Sequence, residues 1–99
     1  MSIRDDYDFS LLVNEAERMV TDELERALAE RGDQGICVCQ DCVLDMAAFA
    51  LNSLKPLYRV SLLGTMYAHA IDGKSPYAED IRRAVDAAIT KVHANPAHD

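Results

Sequence analysis

The chain has 99 residues, with 17 acidic against 10 basic side chains, a formal charge of −7, 49% hydrophobic and 27% charged residues. That length suits one domain, expected over 1–99, able to bury roughly 60–70% of the surface its unfolded form exposes, with a core at about 10–93 between short flexible tails. Such a charge repels nucleic acid and anionic membranes, and no apolar run approaches the ~18–20 residues of a membrane span.

The first predicted element is a helix capped by Ser10, running to about Ala29 and punctuated by RGDQG at 31–35. On a wheel of about 100° per residue, Leu12, Ala16, Met19, Val20, Leu24 and Ala27 share one arc. Glu23 falls inside that arc. There it either snorkels or pairs with a basic group, or faces inward to a partner, for instance across a dimer interface.

The second helix begins with Gln40 or Asp41 near its cap and ends at 52–54, ahead of Pro56. Val43, Leu44, Met46, Ala47, Phe49, Ala50, Leu51 and Leu54 surround it, leaving Asp45 and Asn52 as a narrow polar stripe. A helix apolar nearly all round is central, covered by its own fold or by a second subunit. YRVS at 58–61 reads as a short extended piece. LLGTMYAHAI, from Leu62, reads as a modest third helix with Leu62, Met66 and Ala70 on one side, weakened by Gly64. Ser75 and Pro76 open the last helix, Glu79 and Asp80 suit its first turn, and Ile81, Val85, Ala88, Ile89 and Val92 form its buried face. The fold class expected is all-α: about four helices, with a Cys-rich loop before a buried central helix.

All three cysteines fall within six residues, as Cys37-x-Cys39-x-x-Cys42. Residues two apart in an extended segment point the same way, and three more residues, bending into a helix start, bring the third sulfur round. Three sulfurs can then converge on one soft cation, and zinc prefers tetrahedral sulfur and nitrogen ligands. Cys42, near a helix N-terminus, is the easier to deprotonate. His93 or His98 is the candidate for a fourth position if the last helix returns to the loop, with His69 a weaker one. Inert buried thiols and a redox pair such as Cys39 and Cys42 are the alternatives. The odd thiol count suits a reducing cytosol, and MSIRDDYDF has neither the basic nor the apolar region of a secretory signal; a cytoplasmic protein is expected.

NEAERMVTDELERAL followed by CVCQDCVLDMAAFALNSLKPLYRVS resembles the late competence development protein ComFB family. The likeness rests on an Asn-x-x-Glu pattern (Asn14, Glu17), then C-x-C-x-x-C running into an Asp, Ala and Leu-Asn helix, a proline and a tyrosine. It covers about 13–61. The resemblance implies a compact, mostly helical homodimer with zinc on Cys37, Cys39 and Cys42, in a non-enzymatic regulatory role. Family members are connected with natural competence, and some are receptors for cyclic dinucleotides, mainly c-di-GMP. Members that close the metal with a further cysteine differ from this chain, which has none.

A cyclic dinucleotide needs cations or amides for two phosphates and planar groups for two bases, and arginine serves both ends. Asn52, Lys55, Tyr58 and Arg59 form the nearest set, Arg4 could fold over as a lid, and Asp45 could accept from a guanine edge. Each has a plainer role: Asn52 as a helix end, Asp45 answering a buried donor, Tyr58 in the core, Lys55 in solvent. Arg82 and Arg83 read as the exposed side of the last helix, with anion binding the lesser reading. The functional expectation is a dimeric c-di-GMP or c-di-AMP receptor that passes its state to an unidentified downstream protein. The alternative is a zinc-stabilised interaction module with no small ligand. No nucleophile–base pair, phosphate-cradling glycine loop or spaced carboxylate pair points to an enzyme.

Overall fold

The computed structural model describes residues 2–60 and 76–96. In chain order these form a short helix α1 (Ile3–Asp6), a 3-10 turn (Phe9–Leu11), strand β1 (Val13–Asn14), α2 (Glu15–Glu30), α3 (Gln40–Asn52), β2 (Tyr58–Arg59) and α4 (Pro76–Ala94). Helix dominates, with one two-stranded antiparallel ribbon pairing Val13 with Arg59 and Asn14 with Tyr58. The expected third helix, with Leu62, Met66, Ala70 and His69, lies outside the described residues, as do Ser75 and His98.

The cap of the first long helix lies four residues later than expected. Ser10 belongs to the 3-10 turn, where Asp8 accepts its backbone N–H at 3.0 Å. Asn14 caps α2 instead, its Oδ1 accepting from the Ala16 N–H at 3.1 Å and from the Leu57 N–H at 2.8 Å. One acceptor thus satisfies an orphan donor of the helix and a donor from a distant segment, which Ser10 has no geometry to do. Leu12 consequently leaves the arc and is exposed, while Ala16, Val20, Leu24 and Ala27 are buried as expected. Glu23 pairs within its own helix: Arg26 Nε meets Oε1 at 3.0 Å and Arg26 NH2 meets Oε2 at 2.5 Å.

The helix ends at a cap on Arg31, which also pairs with Asp86 on α4. Gly35 then turns the chain at φ +69°, a left-handed value that favours glycine. Beyond it, Ile36 and Cys37 are half-buried against the core.

Val20, Leu24 and Ala27 of α2, Cys42, Met46 and Ala50 of α3, and Ile81, Ala84, Val85, Ala88, Ile89 and Val92 of α4 make one core. The α4 residues are those expected from the 3.6-residue period, with Ala84 added. Helix α3 packs most heavily on α4 and also on α2. Its fully buried stripe is narrow, at 42, 46 and 50. Leu44 stays 58% exposed and Phe49 38%, so among the described residues the apolar girdle read in the sequence is fully covered along one stripe.

Candidate metal centre and neighbouring surfaces

The cysteine loop is held from both ends. Upstream, Ile36 and Cys37 lean on the core; downstream, Cys42 is fully buried in the first turn of α3. Cys39 itself caps α3, in place of the expected Gln40 or Asp41: at φ −70° and ψ 165° it is extended, and its Sγ lies 3.4 Å from the Cys42 backbone nitrogen, accepting that N–H. The bond turns the Cys39 side chain back over the helix mouth. The Sγ atoms of Cys37, Cys39 and Cys42 all lie within 4.8 Å of one another. Sulfurs at two corners of a zinc tetrahedron stand about 3.8 Å apart, given a Zn–S bond of roughly 2.3 Å. The cluster could therefore hold a metal ion, with three soft donors on one side and the exposed Cys39 facing out.

Among the described His, Cys, Asp and Glu residues, the converging group consists of these three sulfurs. His93, exposed on the last turn of α4, is not among them.

A second constellation was not legible in the sequence. Glu15, on the first turn of α2, is 3% exposed, yet its carboxylate is satisfied on both oxygens. Arg59 Nε donates to Oε1 at 2.7 Å and Arg18 Nε to Oε2 at 3.1 Å. Arg59 above all, and then Arg18, holds the Glu15 carboxyl below the ordinary carboxylate range, against the upward pull of burial. The Glu15 N–H donates to the Leu57 carbonyl at 2.9 Å, alongside the Asn14 bridge to the Leu57 N–H. Residues 14–15 and 57–59 are thus clasped by backbone, amide and ion pair together. Of the Asn-x-x-Glu pair, Asn14 carries the clasp, and Glu17 is exposed.

This clasp divides the residues considered for a ligand. Arg59 is turned onto Glu15 and is 25% exposed. Arg4 and Tyr58 line one cleft of about 390 Å³ together with Phe9, Asn14 and Glu17, and the Arg4 guanidinium stands 5.5 Å over the Phe9 ring. Lys55 instead lines a groove of about 710 Å³ between the end of α3 and the start of α4, with Tyr77, Asp80 and Arg83. The Tyr77 hydroxyl donates to the Lys55 carbonyl at 2.7 Å. Burial first, and then the Asp80 charge, pushes the Tyr77 phenol above its ordinary value, which keeps that donor protonated. Asp45 and Asn52 are exposed on α3 and line neither space. Arg82 pairs with Glu79, and Arg83 lies 3.9 Å from Asp80. No helix among the described residues is long and apolar enough to cross a membrane.

Among curated proteins none matches the chain. A family model described as late competence development protein ComFB matches residues 13–96, a span that opens beside the Asn14 cap, takes in the cysteine loop and closes just past α4. The chain belongs to that family.

Proposed function

We propose that the chain is a non-enzymatic regulatory protein, dimeric, in which Zn²⁺ on Cys37, Cys39 and Cys42 pins the mouth of α3 and a cyclic dinucleotide is received nearby and reported to a downstream protein. The observation that carries the reading is the convergence of three sulfurs on the first turn of the helix that meets both α2 and α4. Zinc there would tie the loop to the helix start, and its fourth ligand would come from His93, His98 or solvent. Bound zinc supplies folding energy at such a site, because the unfolded chain has no preformed cluster.

For the dinucleotide, the groove beside Lys55 supports the reading better than the cleft beside Arg4. It offers two cations, Lys55 and Arg83, and an aromatic ring, Tyr77, in a volume usual for small-molecule sites. A net charge of −7 makes such a local pair of cations necessary for a doubly anionic ligand. Calorimetry with c-di-GMP and c-di-AMP, with metal content measured on the same sample, tests both halves. Saturable heat lost in Lys55→Glu supports the site, and no heat with either nucleotide at tens of micromolar removes it. Recovery of both nucleotides intact after incubation is expected of a non-enzyme.

The second copy would cover the outer face of α3, where Leu44 and Phe49 stand exposed. Light scattering should then give twice the 11.0 kDa of one chain. The same face favours the second reading, a zinc-stabilised interaction module without a small ligand. In that case chelation lowers the melting temperature and nucleotides change nothing.

A further inference from the structure

The cysteines divide by position into an exposed cap and a buried neighbour on one turn. Cys39 is exposed and caps α3; Cys42 is 0% exposed and sits on the third helical residue. The cap geometry aims Cys39 Sγ at the Cys42 backbone, 3.4 Å from its nitrogen, and the two sulfurs lie within 4.8 Å. A disulfide requires about 2.05 Å between sulfurs, so closure calls for the exposed Cys39 side chain to swing toward the buried Cys42. Cys37 lies further upstream on the loop, away from the cap and first turn that set the spacing of the other two.

We infer that Cys39 and Cys42 form a reversible redox pair, oxidised by hydroperoxides to a disulfide between the cap and the first turn of α3 that dismantles the three-sulfur cluster. The exposed sulfur reacts first. Cys39 Sγ attacks a peroxide oxygen of R–OOH; the O–O bond breaks, R–OH leaves with the thiol proton, and Cys39 becomes a sulfenic acid. Cys42 Sγ then attacks the Cys39 sulfur. The S–S bond forms, the S–O bond breaks, and water departs with the second thiol proton. Two thiols lose two electrons in all, and the peroxide gains them. The second step is intramolecular, so the burial of Cys42 shields it from the oxidant without hindering closure.

Two of the three donors are consumed, so the disulfide and a cluster-bound metal exclude one another. This consequence alone rests on the metal reading above; the disulfide does not.

The test uses the full chain, reduced, chelated and freed of reductant, then treated with stoichiometric hydrogen peroxide and weighed intact under denaturing conditions. Closure is a loss of about 2 Da that dithiothreitol restores, leaving one titratable thiol per chain. Cys37→Ser should still close, and then retain no thiol. Cys39→Ser should close at least roughly tenfold more slowly, having lost the exposed attacking sulfur. Cys39 is exposed, so this variant tests the pair without disturbing the core, and Cys42→Ala serves as a second variant checked by circular dichroism. The inference is overturned if wild type gains oxygen without losing two hydrogens, if it links only between chains, or if Cys39→Ser closes as fast as wild type. A parallel sample loaded with Zn²⁺ and read with a chromogenic chelator should release metal at the rate of closure. Failure to take up zinc at the outset removes the metal reading and leaves the mass result standing; metal retained in the disulfide form overturns their exclusion.

Discussion

Replacing Asn14 by alanine should be the most damaging single change outside the hydrocarbon core. Its Oδ1 accepts two N–H groups, Ala16 at 3.1 Å and Leu57 at 2.8 Å. Loss of an N-cap acceptor costs about 0.5–2 kcal/mol. The Leu57 N–H adds about 1–3 kcal/mol if it is left without a partner in a half-buried place. Part of this is regained by water, so about 2–3 kcal/mol is expected for Asn14→Ala. In a domain of this size that lowers the melting temperature by roughly 10–20 °C. Asn14→Asp keeps an acceptor at the same place and should lose less than half as much. Urea denaturation at fixed chain concentration and fixed metal content is the appropriate assay, because self-association or a bound metal would each shift apparent stability. An Asn14→Ala loss below about 0.5 kcal/mol, within the range of ordinary surface changes, would refute the clasp as the element that seats β2 on α2.

Glu15 gives a pH signature. Its folded carboxyl lies below the ordinary glutamate value, so its contribution is fully present above the unfolded value and fades as the pH falls through the folded one. Glu15→Gln should remove part of the acid-side loss of stability as the pH falls below the ordinary glutamate range, read as a shallower fall in urea midpoint than wild type; parallel curves would refute the pairing. Met46→Ala, at a fully buried position, should cost about 2–5 kcal/mol in the same assay. Leu44→Asp, at a position 58% exposed, should lower the mass seen by light scattering and make the urea midpoint independent of chain concentration, with no loss from the core itself. Chelation should lower the melting temperature of zinc-loaded protein and leave Cys37→Ser, deprived of one donor, nearly unmoved.

What the sequence disclosed was whatever a single segment decides. The three sulfurs converge within six residues, so their spacing sufficed, and the α4 stripe follows from periodicity between Pro76 and the chain's last turn of helix. The cap of α2 escaped because two acceptors competed: Asp8 takes Ser10 into a local turn, and Asn14 finds a partner 43 residues away. Asn14 does precede the helix directly, and asparagine is a preferred cap, which was the available signal. Burial of Glu15 had no such signal. A glutamate in a first helical turn reads as a solvated residue facing the dipole, and Arg59, 44 residues on, joins Arg18 in satisfying it as an interior group. Cys39 was missed as a cap because sulfur is not among the usual capping acceptors.

These particulars bear on what α3 can do. Its N-terminal end is set by the Cys39 cap and the buried Cys42. Past its C-terminal end, the chain at 55 is held to α4 through Tyr77, and at 57–59 to α2 through Asn14 and Glu15. Between these anchors only one stripe, at 42, 46 and 50, is fully buried, and Leu44 and Phe49 are exposed. A rigidly held apolar surface binds at lower entropic cost than a mobile one. Under the proposed function, a metal or disulfide at the thiol end, or an anion beside Lys55, would act on the orientation of that surface. A ligand that met only exposed residues away from both anchors would have no such lever, because a shift in state requires differential contact with the part that moves.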